Sequence, residues 1–488
     1  MRTTFAVLYL VLGCAGQDDK VPPDDTDAAS DADTDTDADT DTDSDTDSDS
    51  DSDTDTDTDA TSGGTGAGGT GTGPQTAGLP NWVQCGTGLP IDISAWTDTA
   101  VVGAYIQPQE CANGEAAVIG ANTYGLIAGA VAASSSGDTI SICPGVHQEF
   151  LTLPHDLTLR GMTGDPTNTI LNGRLGGRLI SSVNTVLTIE DLTLRRGFDN
   201  YSGGGLEASS TNGLTVTNSV FYQNVSCYQG GGISASTAPT GSIVFTDVVF
   251  EGNKSGYTAG AANLSQRSPN SDITIQSCTF DGNWSDYEGG ALTLDGDGGS
   301  IVLDSSTFFR NTSGYTGGAV TAGIWDDFTL DINSCSFEEN GAGYEGGALS
   351  ASSWNEKEIT VGNSSFLRNT SQSGGGAVDL GGRDGGRVEF NACTFDGNTS
   401  NSNGSAINGD LASYTTPLTI VLNGGSVLSN SGGTAALVAG NDTTIEVSST
   451  DLSMGPTDNS PLDVNDCALQ NGVSTFTHNP DGGLYCAP

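Results

Sequence analysis

The 488-residue chain has 61 Asp and Glu against 14 Lys and Arg, a formal net charge of -47, and only three histidines. A nucleic-acid partner needs a basic surface that neutralises phosphates, so these totals argue against one. They also argue against a histidine-based active site in the body of the chain, because no histidine lies between 156 and 477.

The first 14 residues have the pattern of an export signal. Arg2 precedes an apolar run from Phe5 to Gly13, which is shorter than the roughly 20 residues that span a bilayer. The segment Val11 to Cys14 resembles the lipobox of bacterial lipoproteins, which implies cleavage after residue 13 and lipidation of Cys14. The alternative is an ordinary cleaved signal with an incidental cysteine. We expect export, with an N-terminal lipid anchor at the outer membrane or cell surface of a bacterium.

Residues 15–78 are predicted to be a disordered linker. Every second residue from Asp31 to Asp59 is Asp, and residues 61–73 are rich in Gly and Thr. Such a segment has no apolar surface to bury and its charges repel each other. It lacks the Gly and bidentate Glu of an EF-hand loop, so we expect at most weak, nonspecific binding of divalent cations there. We expect no other metal site and no cofactor.

Two short motifs alternate through the centre of the chain. The first is Phe-x-x-Asn, whose phenylalanines are 28 to 30 residues apart. Its seven copies are Phe221/Asn224, Phe250/Asn253, Phe280/Asn283, Phe308/Asn311, Phe337/Asn340, Phe366/Asn369 and Phe395/Asn398. The second is Gly-Gly-Ala-aliphatic, as at Gly289–Leu292 and Gly317–Val320, with weaker copies at both ends of the array.

A repeat of this length without helical periodicity buries its apolar face only by stacking on its neighbours. Because parallel coils lie about 4.8 Å apart, each repeat position becomes a ladder. Phenylalanines are then expected in the core, asparagines bonded along the stack, and glycine pairs at tight turns. We predict an all-β solenoid of about 10–12 coils over residues 136–465, with an N-terminal cap region at 79–135 and a C-terminal cap or tail at 466–488.

Six of the ladder asparagines begin an Asn-x-Ser/Thr sequence, the acceptor pattern for N-glycosylation. An acceptor has to be exposed, whereas a ladder asparagine is buried. The fixed repeat position and the bacterial-type signal favour the structural interpretation.

The paired FxxN and GGA[ILV] motifs resemble the repeat of bacterial polymorphic outer-membrane proteins. The resemblance covers about 200–440 and implies a right-handed, single-stranded parallel β-helix displayed at the cell surface. Upstream, Gly137 to Gly145 resembles the opening strand and turn of many secreted β-helices, whose fold is that of pectate lyase. A short helix within Tyr124–Ala133 is expected to cover the N-terminal end, since an open coil is an aggregation-prone edge.

The cysteines fall into two groups. Cys278, Cys335 and Cys393 stand in alternate repeats, roughly 9.6 Å apart at twice the strand spacing, too far for disulfides. They are expected to be free core residues. Cys467 and Cys486 are expected to pair with each other in an oxidising compartment, as are Cys85 and Cys111. Cys143 and Cys227 stay unassigned.

Two sets of aromatic residues are candidate ligand contacts. Tyr228, Tyr257, Tyr287, Tyr315 and Tyr344 each stand four residues after a ladder asparagine, and tyrosine offers an apolar face with a polar tip. The alternative is that these rings only cover the turn and one another. Trp325 and Trp354 are one repeat apart, so they could form a two-indole patch or simply pack their loops.

We therefore expect a non-catalytic adhesion or binding scaffold whose ligand is a surface polysaccharide or a protein. The alternative is a polysaccharide lyase or glycoside hydrolase on the same fold. A hydrolase needs two carboxylates about 5 to 9.5 Å apart, and the candidate acids are Asp295, Asp297, Asp326 and Asp327. A lyase needs a basic residue as proton acceptor, and the candidates for that role are Arg174, Arg178, Arg195, Arg196, Arg310 and Arg368. The near-constant repeat length favours the scaffold, and fold alone does not assign an activity.

Overall fold

The computed structural model describes residues 81–85, 90–96, 105–353, 357–382, 386–409, 418–439, 443–452, 459–460 and 476–478. All of them belong to one compact unit, Ala67–Pro488. The predicted signal, Cys14, the linker at 15–78 and the pair Cys467 and Cys486 lie outside the described residues.

The chain forms a parallel β-helix, which confirms the predicted fold class. One coil consists of the strands Ile233–Thr237, Ser242–Thr246, Val249–Glu251 and Lys254–Ser255. Each pairs in parallel with its counterpart one coil later. We call the four resulting ladders the GGA face, the middle face, the Phe face and the short-strand edge, in that order along the coil.

The strands of the GGA face are Leu151–Leu153, Ile180–Val183, Leu206–Thr211, Ile233–Thr237, Ala262–Gln266, Leu349–Ser353, Val378–Gly382, Ile407–Gly409 and Leu437–Ala439, with the first parts of Leu292–Asp304 and Val320–Asn333. The last parts of those two long strands belong to the middle face, with Asp138–Ile142, Leu157–Gly161, Val186–Glu190, Gly213–Thr217, Ser242–Thr246, Asp272–Gln276, Lys357–Gly362, Thr443–Ser448, Phe476–His478 and the first parts of Gly386–Asp396 and Leu418–Leu428.

The Phe face contains the ends of Gly386–Asp396 and Leu418–Leu428, together with Gly145–His147, Thr169–Asn172, Thr193–Arg195, Val220–Tyr222, Val249–Glu251, Thr279–Asp281, Thr307–Phe309, Ser336–Glu338 and Ser365–Leu367. The short-strand edge is formed by Phe198–Asp199, Val225–Ser226, Lys254–Ser255, Trp284–Ser285, Thr312–Ser313, Gly341–Ala342, Thr370–Ser371, Thr399–Ser400 and Ser431–Gly432.

The number of coils depends on which ladder is counted. The short-strand edge has nine strands, so about nine turns carry all four strands, fewer than the 10–12 coils expected. The middle face continues beyond them at both ends, from Asp138–Ile142 to Phe476–His478. The end coils therefore lack some of the strands that a full turn has.

The N-terminal end is covered by a short helix and antiparallel strands. Helix Ile127–Ala133 packs Ile127, Ala130 and Val131 into the core, and the carboxylate of Glu149 accepts its first N–H groups at 2.9 and 2.8 Å. Strand Ala117–Ile119 pairs antiparallel with Asn122–Tyr124 and with the first coil strand, which closes that edge.

Three further local elements complete the described chain. Trp82–Val83 and Ile91–Asp92 form a separate antiparallel pair. Single 3-10 turns occur at Gln109–Cys111 and Pro166–Asn168. Among the residues that the structure describes, no helix has both the length and the apolar character to cross a membrane.

A continuous core runs through the stacked coils. The seven repeat phenylalanines are at most 1% exposed, and their ring centroids stack at 4.7 to 5.1 Å. Each stack contact is a one-coil translation of the one before it, so the Phe-x-x-Asn spacing sets the register of the whole solenoid.

The glycine pair satisfies two separate requirements. Gly317 has φ +62°, a left-handed conformation that a side chain disfavours. Gly318 lies against the next coil, where a Cβ would be 2.0 Å from the carbonyl oxygen of Gly347. The first glycine is thus needed for the turn and the second for the distance between coils.

Candidate functional site

The repeat asparagines form a buried ladder at the corner between the Phe face and the short-strand edge. Each side-chain amide nitrogen donates to the next asparagine Oδ1 and to a main-chain carbonyl, as Asn311 does to Asn340 at 3.0 Å and to Phe280 at 2.9 Å. The ladder continues through Asn430 and Asn459. Sequence reasoning missed Asn430 because Val427 occupies the phenylalanine position, pairing with Phe395. It missed Asn459 because no phenylalanine stands three residues before it.

Asn369 and Asn398 are the last two predicted members of this ladder. Asn369 Nδ2 donates to Oδ1 of Asn398 and to the carbonyl of Phe337, both at 3.0 Å. Asn398 Nδ2 donates to Oδ1 of Asn430 at 2.9 Å and to the carbonyl of Phe366 at 2.8 Å. Asn369 and Asn398 are both 0% exposed, so they are structural residues that no ligand can reach in the folded chain.

The same corner explains the glycosylation-like pattern. Two residues after the asparagine, a serine of the short-strand edge is also buried, as Ser226, Ser285 and Ser313 are. An inward asparagine followed two positions later by an inward serine produces Asn-x-Ser from packing alone. The asparagines of that pattern are all 0% exposed, namely Asn224, Asn253, Asn283, Asn311, Asn369 and Asn398. No glycan could therefore be attached to them in the folded chain.

The predicted tyrosines stack into one row on the turn that follows the short-strand edge. Centroids of neighbouring rings from Tyr228 to Tyr344 are 4.8 to 4.9 Å apart, with interplanar angles of 2 to 5°. The row includes one ring that sequence reasoning missed, Tyr201, at 5.3 Å from Tyr228. No Phe-x-x-Asn precedes Tyr201. However, Tyr201 stands two residues before the glycine pair that begins at Gly203, as Tyr228 does before Gly230, and this spacing could have identified it. We call these six rings the tyrosine ladder.

Stacking decides which parts of these rings a ligand can reach. Tyr228, Tyr257 and Tyr315 have neighbours on both faces and are 37–38% exposed, which leaves their edges and hydroxyls. Tyr201 ends the row and is 65% exposed, so it presents an open ring face. Burial raises the pKa of Tyr257, Tyr287 and Tyr315, and neighbouring tyrosines and glutamates raise it further. The hydroxyls are therefore neutral at physiological pH.

A row of polar residues lies beside the tyrosine ladder on the outer side of the GGA face. Each follows the aliphatic residue of the glycine motif and is the register partner of the next. We call it the polar strip: Glu207, Ser234, Asn263, Thr293, Thr321, Ser350, Asp379 and Asn408. The hydroxyl of Thr321 donates to the carbonyl of Thr316 at 3.0 Å, directly after Tyr315, so strip and ladder adjoin.

The two rows differ in access. Asn263, Thr293, Asp379 and Asn408 are at least nine-tenths buried among their neighbours, whereas Ser234, Thr321 and Ser350 are half-buried. These latter side chains are small and carry hydroxyl groups. Sequence reasoning missed the strip, although a polar residue after every copy of the glycine motif was its signal.

Glu288 lies between the two rows, after Tyr287 and before a glycine pair. Burial raises the pKa of its carboxyl, and the charge of Asp295 raises it further. The side chains of Asp297, Asp326 and Asp327 lie outside the described residues, so the proposed carboxylate pairs stay a prediction. Within the part of the chain that the structure describes, no group of three or more His, Cys, Asp or Glu residues is placed to hold a metal ion.

The basic candidates are engaged in the fold. Arg196 is fully buried and bonds Gln223 Oε1 at 3.3 Å, and Arg195 lies 5.5 Å from the ring centroid of Tyr222. Arg178 donates to the carbonyls of Ser202 and Gly203. These carbonyls begin the stack of glycine turns, so Arg178 caps it.

The remaining arginine candidates lie elsewhere. Arg310 donates from Nε and Nη2 to the carboxylate of Asp281, and Arg368 bonds Glu338 and Glu339. Both belong to the Phe face, not to the tyrosine ladder. Arg174 has a left-handed main chain, with φ 49°, in the loop that follows Asn172.

The cysteine pairing needs a correction. The predicted Cys85–Cys111 bond is wrong: Cys85 bonds Cys227, and Cys111 bonds Cys143. Cys143 lies just after the first coil strand, beside the turn that carries Cys111, whereas Cys85 reaches Cys227 through docking of the N-terminal segment on the side of the solenoid. Cys278, Cys335 and Cys393 are free and buried.

Of the two predicted indoles, Trp325 lies on the long strand Val320–Asn333, where its main chain pairs with Asp297. Its side chain and the whole of Trp354 lie outside the described residues. The two-indole patch stays a prediction.

Comparison of the chain with protein-family models, with curated proteins and with solved structures gave no match.

Proposed function

We propose that this protein is a non-catalytic binding scaffold at the bacterial cell surface, held there by a lipid on Cys14 and spaced from the membrane by the linker at 15–78. Its ligand is a linear polysaccharide that lies along the β-helix axis. The observation that carries the proposal is the tyrosine ladder running in register beside the polar strip through successive coils. The FxxN and GGA[ILV] motifs support a relationship to polymorphic outer-membrane repeats.

The chemistry of the two rows suits a polyhydroxylated polymer. Neutral tyrosine and serine or threonine hydroxyls both donate and accept hydrogen bonds, and tyrosine edges add apolar contact. A tyrosine recurs at every coil from Tyr201 to Tyr344, about 4.8 Å along the axis, and the half-buried hydroxyl residues Ser234, Thr321 and Ser350 lie beside this row. Weak contacts repeated along one polymer add to a strong interaction without a deep pocket.

The test uses retention of the exported protein on a panel of immobilised polysaccharides. Replacing Tyr257, Tyr287 and Tyr315 together by Phe keeps the ring stack and removes three hydroxyls. Because three hydrogen bonds are lost, we expect binding to weaken by about tenfold or more. The matched control is Tyr222→Phe, a half-buried tyrosine of the Phe face, which should bind as the wild type does. Equal binding by the triple variant and the wild type would refute a role for the ladder hydroxyls.

The open face of Tyr201 and the indoles are tested separately on the same panel. Tyr201→Ala removes the end ring of the ladder that is 65% exposed, and a loss of binding would place a sugar ring on it. Trp325→Ala with Trp354→Ala tests the predicted indole patch. If every variant binds no polysaccharide and the wild type does not either, the ligand is a protein or the solenoid is a structural spacer.

One observation favours a glycoside hydrolase as the second candidate. A half-buried glutamate whose pKa is raised by burial is typical of a general acid, and Glu288 fits that description. If the protein releases reducing ends from any polysaccharide and Glu288→Gln abolishes the release, the enzyme is the correct interpretation. Binding without product supports the scaffold.

A further inference from the structure

The segment that follows the linker is fixed to the side of the β-helix. Its described parts, residues 81–85 and 90–96, are here called the strap. Val83, Ile91 and Ile93 are buried together with Val225 of the short-strand edge. The bond from Cys85 to Cys227 locks this contact across 142 residues of sequence.

A lysine adds polar contacts to the same attachment. Lys254 on the short-strand edge donates from Nζ to the main-chain carbonyl of Asp92 in the strap at 2.6 Å. The same Nζ lies 6.0 Å from the ring centroid of Trp96 and 5.8 Å from that of Trp284, within the range of cation–π attraction. The strap is thus bonded to two successive coils, those of Cys227 and Lys254. Phe198 and Trp284, from the coils on either side, pack against the same apolar cluster.

The covalent path through the molecule follows from this bond. Tension on the chain before Cys85 reaches the sulfur of Cys227 directly, since the disulfide is far shorter than the 142-residue route. Residues 86–226, which include the helical cap and the first coils, then lie outside the loaded path.

We propose that the strap and the Cys85–Cys227 bond form a mechanical bypass, which carries tension from the N-terminal side into the coil of Cys227 and keeps it off the end of the solenoid. Coils at an end of the solenoid separate most readily, because each coil contacts only its neighbours and an end coil has a neighbouring coil on one side only. The end is protected as long as the bond is closed. Its role at a cell surface rests on the proposed N-terminal anchor, whereas the bypass itself does not.

Single-molecule force spectroscopy of the full chain, attached at its two ends, tests the bypass. At about 3.4 Å per residue, Cys85→Ser should lengthen the fully unfolded chain by about 370 Å over the wild type, because the Cys111–Cys143 loop stays closed. Combining it with Cys111→Ser and Cys143→Ser should raise the gain to about 480 Å. The first unfolding event of Cys85→Ser should also occur at lower force.

The matched control is Cys111→Ser with Cys143→Ser in a chain that keeps Cys85 and Cys227. Its open loop lies inside the bypassed span, so its unfolded length should equal that of the wild type. If Cys85→Ser does not fold, a reductant added to the folded wild type under load opens both disulfides and should give the larger gain of about 480 Å.

Equal lengths for the wild type and Cys85→Ser, or an unchanged first unfolding force, would overturn the bypass. No ligand takes part in these measurements. A scaffold that fails the polysaccharide test can thus still pass this one, and the reverse also holds.

Discussion

The side-chain amide of Asn224 donates to Oδ1 of Asn253 one coil later, and the main-chain N–H of Asn224 donates to the same oxygen, both at 3.0 Å. Asn224 Nδ2 also donates to the carbonyl of Leu194 at 3.0 Å. These side chains thus satisfy main-chain groups of two successive coils, the carbonyl of Leu194 and the N–H of Asn224.

Replacing Asn311 by Ala should lower the free energy of unfolding by about 3 kcal/mol or more. The substitution removes the bonds to Phe280 and Asn340. It also leaves the buried main-chain N–H of Asn283 without its acceptor and removes one of the two acceptors of the Asn283 amide. Urea denaturation followed by circular dichroism measures the change. Asn401→Ala is the control, because Asn401 bonds Gln372 at the exposed surface, and it should change stability by less than about 0.5 kcal/mol.

Replacing Gly318 by Ala should destabilise the solenoid by several kcal/mol. The new Cβ would lie 2.0 Å from the carbonyl oxygen of Gly347, so two coils would have to separate. Gly381→Ala is the matched glycine, since a Cβ there meets nothing within 4 Å, and it should shift the midpoint only slightly. Similar thermal midpoints for the two variants would show that the coils can spread at that turn.

The three free thiols should stay unmodified in the native protein at pH 8. Burial raises the pKa of Cys278 and Cys335 to about 12 and that of Cys393 to about 11, and the thiolate is the reactive form. Iodoacetamide with peptide mapping should label these residues only after denaturation. Labelling of the folded protein would show that the coils open locally.

The same thiols predict how stability depends on pH. Their folded pKa lies above the unfolded value of 9.0, so between about pH 9 and pH 12 the unfolded chain binds fewer protons than the folded one. The contribution is complete below pH 9 and is lost as pH rises through that range. Changing all three to Ser, the residue that Ser306 and Ser364 provide in the intervening coils, should flatten the decline relative to the wild type.

Arg178 should stabilise the first glycine turn by about 2 kcal/mol. It donates to the carbonyls of Ser202 and Gly203 at 2.7 and 3.1 Å and pairs with Asp199 at 2.9 Å. Arg178→Met keeps much of the volume and loses these bonds, whereas Arg178→Lys keeps the charge without the fork. Amide hydrogen exchange around Ser202 should be fastest in Arg178→Met, slower in Arg178→Lys and slowest in the wild type. Uniform exchange in all three would assign the cap no role.

The periodic part of the structure was predictable because each repeat faces its own copy. The motif that includes Phe308 and Asn311 recurs at a nearly constant spacing. Stacked coils require such a spacing, because each residue must face its counterpart in the next coil, so the sequence predicted the solenoid. The polar strip obeys the same period and could have been found by extending the motif by one residue.

Features that depend on a single contact were not predictable. Cys85 and Cys227 meet because the strap docks on the short-strand edge through apolar residues without any repeat, and sequence distance favoured Cys111 instead. Tyr201 is stacked below Tyr228 in a coil that has no Phe-x-x-Asn. In both cases the deciding partner comes from tertiary packing; for Tyr201 the glycine pair that follows it was the one local signal.

The buried Asn-x-Ser corner limits where this protein can be made. The six asparagines are inaccessible once the coils have closed, yet each is open to an oligosaccharyltransferase while the chain is still emerging unfolded. A sugar attached at that moment would occupy the space of the neighbouring coil and prevent that coil from stacking. Synthesis in a secretory pathway that glycosylates nascent chains should therefore yield truncated, aggregation-prone solenoids, whereas a host without that enzyme should yield the complete fold.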